Sequence, residues 1–190
     1  MPHCQRWPSQ GLHMLSEAYA QSGQLLTATG MKDKGKMDDT QCRMGCNLIE
    51  DPHHIFIICK VFDKLRGDAC WEMLNKTRWK IEAMGLEEAQ FTSLIQTARF
   101  LFSDCPITWP LHYLFYYLGH IPRLDSHVNA SVFESKLKRK RFLHNISGDW
   151  HISSIRLASR IWGKGQKEMA KRSDIGNTRS WGLTIDLFST

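Results

Sequence analysis

Apolar positions along most of this chain recur at three- and four-residue spacing, the period of a helix with one buried face. Over 61–84 the inner positions are Phe62, Leu65, Ala69, Met73 (or Trp71 and Leu74) and Ile81, with Lys64, Arg66, Glu72, Lys76 and Lys80 on the other side. Gly85 then offers a C-terminal stop. A second helix is expected over 86–103, with Phe91, Leu94, Ile95, Ala98, Leu101 and Phe102 inward, broken by Asp104, Cys105 and Pro106. A third opens at Thr108 and runs to Leu118; it is apolar nearly all round, which places it centrally in a core. After a turn over 119–125, helical spacing resumes near Ser131 with Phe133, Leu137, Phe142 and Ile146. Ser147, Gly148 and Asp149 read as an interruption. A last helix is expected over 150–172, with a stripe of Ile152, Ile155, Ala158, Trp162, Gln166 and Met169 weakened by Gly163 and Gly165.

The ends carry less pattern. Short helical pieces fit 12–19 and 24–28, and 31–40 reads as a charged loop. Trp181, Leu183, Ile185 and Leu187 alternate enough for a short strand. Strand-like alternation is otherwise nearly absent, so the expected fold class is mainly α. The expected organisation is an irregular N-terminal segment (1–40), a zinc knuckle (41–60), a small helical bundle (61–172) whose C-terminal helical segment is basic, and a tail (173–190).

Composition narrows the function classes. The longest apolar run, 111–118, is broken by His112, far short of the roughly 20 residues that a membrane span requires. The first residues include His3, Arg6 and Pro8 and no apolar h-region. Six cysteines without such a leader favour reduced thiols and metal ligation over a disulfide framework. The expected location is nucleus or cytoplasm rather than outside the cell. The net charge of +6 is uneven: 136–172 holds eleven Lys or Arg against Asp149 and Glu168, a net +9, while the remaining residues carry 14 basic and 17 acidic side chains, a net −3. Such asymmetry points to a polyanionic partner.

Three of the six cysteines and two adjacent histidines fall within the 18 residues from Cys42 to Cys59. Three thiolates and an imidazole suit Zn2+, whereas Ca2+ or Mg2+ would require oxygens. Gly45 suits a tight turn between Cys42 and Cys46, and Pro52 suits a first helical position. The residues leave His53 and His54 open as the fourth ligand, and a set of unrelated buried cysteines is the alternative to a site. A ligand at either histidine meets Cys59 only if the helix ends or bends first. With all four positions filled by protein, such a site is structural, since catalytic zinc keeps a position open. His3 and Cys4 lack nearby partners.

Lys136, Lys138, Arg139, Lys140 and Arg141, followed by Arg156, Arg160 and Lys164, could neutralise phosphates of RNA or DNA. Trp150, Trp162, His144 and His151 could stack on unpaired bases, or the tryptophans could anchor the core. The 136–141 run also resembles a nuclear-localisation patch. No P-loop, G-x-G-x-x-G or G-x-S-x-G stands in the chain, and the only paired aspartates are Asp38 and Asp39. A non-enzyme without a small-molecule substrate is therefore expected.

The stretch Cys42-x3-Cys46, Glu50, Asp51, His53, His54, Cys59 and the following Phe62-x-x-Leu65-Arg66 resembles the zinc-binding segment downstream of the reverse transcriptase in non-LTR (LINE-like) retrotransposon polyproteins. The stretches 116–125 and 149–161 also look like the C-terminal parts of such elements, so the resemblance covers roughly 31–172. It implies Cys42, Cys46, His54 and Cys59 as the zinc ligands and binding of the element's RNA or target DNA. Here the polymerase palm with its carboxylates is absent. The resemblance therefore implies a nucleic-acid-binding remnant, with a structural or interaction fragment that once packed on a polymerase, or a basic-helix binder of anionic membranes, as alternatives.

Overall fold

The computed structural model describes residues 25–103 and 116–173. They are mainly helical, with no β-strand among them. Among the described residues four α-helices appear: α1 (Ala28–Asp33), α2 (Asp63–Ala83), α3 (Thr92–Phe100) and α4 (Lys136–Ser173). The pieces expected over 12–19, most of the 108–118 helix, and the tail fall outside the described residues.

Two periodic segments bury the faces their spacing predicts, though the helix expected over 86–103 is a 3-10 turn (Glu88–Phe91) followed by the shorter α3. In α2, Ala69, Met73, Leu74 and Ile81 are buried. The helix ends where Gly85 adopts φ +67°. There the Gly85 N–H donates to the Glu82 carbonyl and Leu86 N–H to Ile81, satisfying two carbonyls left over at the last turn. In α3, Leu94, Ile95 and Ala98 face inward as expected, with Phe91, Leu101 and Phe102 beside them. Tyr116 and Tyr117, at the end of the expected third helix, are buried in a short 3-10 turn.

Four expectations need correction. The 31–40 segment is not all loop, because Met31 belongs to α1 and is buried. The Ser131 start is a 3-10 turn, Ala130–Val132, and the α-helix begins only at Lys136. The break at 147–149 does not occur: α4 runs through it for 38 residues, about 57 Å. A helical Gly148 costs about 1 kcal/mol, but flanking Ile146 and Trp150 are each fully buried, and an aromatic of that size removes 150–250 Å² from water. Lys80 also pairs with Asp149 and donates to the Asn145 carbonyl (3.2 Å). Finally, the buried face of α4 is rotated from the expected stripe. Beyond Trp150 its deepest residues are Ser154, Leu157 and Ile161; of the expected stripe Ile155 and Ala158 are buried, while Ile152 and Trp162 are half-buried.

α2 and α4 run antiparallel, as three contacts along their length establish. Trp150 Nε1 donates to Thr77 Oγ1 (2.9 Å), Leu157 and Arg160 lie beside Ala69 and Glu72, and Lys164 Nζ donates to the Val61 carbonyl (3.3 Å). α3 packs on α2. Phe91, Phe133 and Phe142 form one aromatic cluster at the N-terminal end of α4. Phe56, Phe102, Tyr116 and Tyr117 form another under the cysteine-rich loop. That loop therefore caps the end of the bundle where α2 begins and α4 ends.

Candidate metal centre

The cysteine-rich segment starts as a small closed loop. An isolated antiparallel bridge joins Gln41 to Ile49, with Cys42 N–H donating to the Leu48 carbonyl (2.9 Å) and Glu50 N–H to Thr40 (2.8 Å). Inside it the Gly45 N–H donates to the Cys42 carbonyl (2.9 Å). Gly45 sits at φ +90°, a conformation that side-chain-bearing residues avoid. This turn brings the Cys42 and Cys46 thiols to one side.

The next two ligand positions come from a helical turn of unusual width. Asp51 Oδ1 accepts the His54 N–H (2.6 Å) at its start, and Pro52 occupies its first helical position. Residues His54–Ile58 then form a π-helical turn, closed by Cys59 N–H donating to the His54 carbonyl. In an α-helix, residues five apart point about 140° away from each other. A π turn joins i to i+5 directly, so the two side chains share a side. The segment then leaves helical geometry at Cys59 (φ −59°, ψ 116°). The end or bend that the H-x4-C spacing requires is thus a π turn followed by an extended residue.

The result is convergence. Candidate ligand atoms of Cys42, Cys46, His54 and Cys59 all lie within 4.8 Å of one another. Cys46 and Cys59 Sγ are 3.6 Å apart, far beyond a disulfide of about 2.05 Å and close to the roughly 3.8 Å edge of a tetrahedron of thiolates around zinc. All three cysteines are free thiols. His54, not His53, joins the cluster. It is 3% exposed, and neither ring nitrogen has a hydrogen-bond partner. Buried polar atoms are nearly always paired, so an imidazole with two orphaned nitrogens beside three thiols fits a group that ligates a cation. Burial lowers the His54 pKa, keeping the ring neutral with a lone pair available. Burial likewise pushes the Cys42 thiol up and Cys59 to about 12. The field of a bound divalent cation is what ionises thiols so placed. Cys46 is the least buried of the three.

Two charged side chains hold this loop in shape, and sequence reasoning missed the role of both. Glu50 is fully buried. Its carboxylate accepts Ala28 N–H (2.9 Å), Arg43 N–H (2.8 Å) and Arg43 Nε (2.8 Å), and pairs with the Arg43 guanidinium. Glu50 therefore joins the start of α1 to the turn between Cys42 and Cys46. Arg66, expected on the solvent side of α2, is 7% exposed instead. It donates to the carbonyls of Phe56 (3.2 Å) and Cys59 (2.7 Å), the latter also accepting the Phe62 N–H (3.1 Å), and pairs with Asp63. Tyr116 Oη also donates to Phe56.

The basic residues expected to bind nucleic acid do not form one face. Because α4 is continuous, Arg156 and Arg160 lie about 200° around the axis and about 30 Å along it from Lys136 and Lys140. Lys136, Lys138, Lys140, Arg141, Arg156 and Arg160 are exposed. Lys138 pairs with Glu134. Arg139 is half-buried, donating to the carbonyls of Asp125 (2.7 Å) and Val128 (3.2 Å). Arg156 and Arg160 stand beside Glu72; its carboxyl is held below the usual range mainly by a hydrogen bond from Lys76, with the two arginines adding to it. Lys164 sits over the Phe62 ring and against Val61. Trp150 is wholly buried and cannot stack on a base. At the far end of α4, Arg172 donates to the carbonyls of Arg43 and Met44 (3.4 Å), tying the helix to the cysteine loop.

The fold and site define a mainly helical protein with a Cys3His cluster able to hold a metal ion. No family model, no curated protein and no solved structure matches the chain.

Proposed function

We propose that the chain is a non-catalytic nucleic-acid-binding unit whose cysteine loop is closed by a structural Zn2+, related to the zinc-binding segment downstream of non-LTR retrotransposon reverse transcriptases. The observation that carries the reading is the convergence of three free thiols on a buried imidazole with two unpartnered nitrogens. Thiolate-rich donor sets favour zinc, and a set of four protein ligands leaves no position for a reacting water. Zinc would clamp the Cys42–Cys46 turn to the His54–Ile58 turn. Lys164 and Arg172 bind carbonyls next to these ligands, so the metal would also steady the C-terminal part of α4. The exposed cations of the 136–141 run would then supply salt-dependent affinity for RNA or DNA.

The test is a titration of a fluorescent single strand across a range of salt. Charge reversal at Lys140 and Arg141, both exposed, should weaken binding and flatten its salt dependence by about 0.7 per lost phosphate contact. Binding that ignores salt and both substitutions would sink the reading. The interaction-module alternative draws on Trp71 and Trp79, which are 69% and 65% exposed on α2; exposed aromatics of this kind mark protein interfaces. The membrane-surface alternative loses support, because the apolar face of α4 is buried against the rest of the bundle.

A further inference from the structure

At the end of α4 remote from the cysteine loop, a cleft of about 740 Å³ separates the 121–125 turn from the first turns of the helix. Its size lies in the range of small-ligand sites, about 300–1,000 Å³. Pro122, Leu124 and Leu143 give it a buried apolar floor. Arg123, Lys136, Lys140 and His144 stand exposed at its rim. Lys136, Lys140 and His144 follow one another at four-residue steps, so one helix face presents two ammonium groups and then an aromatic ring about 6 Å further on. Among the described lining residues the one acid, Asp125, faces Arg139 Nη1 at 3.6 Å. Arg139 also clasps the carbonyls of Asp125 and Val128, which fixes the wall of the cleft against the helix. Its buried Nε makes no hydrogen bond and remains a spare donor.

We infer that this cleft holds one nucleotide unit, its phosphate on Lys136 and Lys140 and its base on the apolar floor beside His144. The inference rests on the proposed nucleic-acid binding and assigns that binding to one end of α4. The chemistry is that of a phosphorylated nucleoside. It could be supplied by a strand or by a free nucleotide, and the experiment separates the two. Phosphate–lysine contacts give the salt-dependent part of the affinity. Base–aromatic stacking gives a salt-independent part of about 1–3 kcal/mol per base, or about 5- to 150-fold in affinity.

The test uses the full zinc-loaded chain and three probes: a labelled single strand of about ten nucleotides, the same strand with abasic sugars, and adenosine 5′-monophosphate followed by amide chemical shifts. Replacing Lys136 and Lys140 with alanine should lower the log–log salt slope for the strand by about 0.7, one phosphate contact, and abolish nucleotide-induced shifts around Leu143 and His144. His144→Ala should weaken the normal strand about 5- to 150-fold with an unchanged slope and leave the abasic strand unaffected. Arg156→Ala with Arg160→Ala, on the other side of the helix, should change strand affinity less than twofold. Strand binding that depends on Arg156 and Arg160 but not on Lys136 and Lys140 overturns the cleft and keeps the nucleic-acid function. Nucleotide shifts at the cleft without any strand binding keep the cleft and overturn the function. An abasic strand that binds as tightly as the normal one overturns the base-binding part.

Discussion

Glu50 offers the sharpest energetic test of how the cysteine loop is built. Replacement by alanine would strand the Ala28 N–H, the Arg43 N–H and the Arg43 guanidinium together, since the Glu50 carboxylate serves all three. Removing one partner of a buried ion pair costs about 3–5 kcal/mol. The Arg43 side chain is 20% exposed and also reaches the Leu26 carbonyl, so the lower end, about 3 kcal/mol, is expected. Glu50→Gln keeps an acceptor of the same shape but loses the charge. Its amide nitrogen would replace Oε2 opposite the Arg43 N–H, and a buried donor left unsatisfied costs about 1–3 kcal/mol, so a loss of about 2 kcal/mol is expected. Where the loop is ordered only by metal, this loss appears in metal affinity, at about one decade per 1.4 kcal/mol. Competition with a chromogenic chelator should therefore show zinc affinity falling about 100-fold for alanine and about 30-fold for glutamine, with urea midpoints falling in the same order. Both variants within about 0.5 kcal/mol of the parent, the range of ordinary surface changes, would refute the placement of Glu50 as the buried hub.

Other substitutions test separate links. Cys46→Ser should lose the metal and expose the amides of the 42–60 region to rapid hydrogen exchange, while the exchange of α2 and α3 amides changes far less; retained metal would refute the ligand set. Arg66→Met should cost about 1.5–3 kcal/mol in urea unfolding, because the Phe56 and Cys59 carbonyls lose a charged donor and keep only Tyr116 Oη and the Phe62 N–H. Arg66→Lys should recover less than half of that, since an ammonium cannot span both carbonyls; full recovery would contradict the fork geometry. Gly148→Ala should stabilise by about 0.5–1 kcal/mol, because an added Cβ meets nothing within 4 Å. A neutral or destabilising result would restore the break once expected at 147–149.

What the sequence disclosed follows from the range of the interactions involved. The helices α2 and α3 were legible because their buried faces repeat locally, and the Cys/His cluster because its donors fall within 18 residues. The choice between His53 and His54 was open on residue type, and it turns on a π turn that no local pattern encodes. Arg66 was misplaced because charge alone reads as solvent-facing, whereas its partners are carbonyls seven and ten residues upstream. Glu50 was noted only as a neighbour of the cluster, since its role depends on Ala28, 22 residues away. The continuity of α4 was invisible because Ser147, Gly148 and Asp149 favour a turn, while Trp150 is held by Thr77 from 73 residues away. Tertiary burial outweighs local propensity at that point. That same continuity divides the basic residues into two groups, which a residue count along the sequence cannot reveal.

The most direct test of the central claim is native mass spectrometry of the purified chain, comparing the parent with His53→Ala and His54→Ala before and after chelation. The parent and the His53 variant should each carry one Zn2+ that chelator removes, and the His54 variant should carry none. Zinc retained in the His54 variant and lost in the His53 variant, or a parent chain that takes up no zinc, would contradict the account.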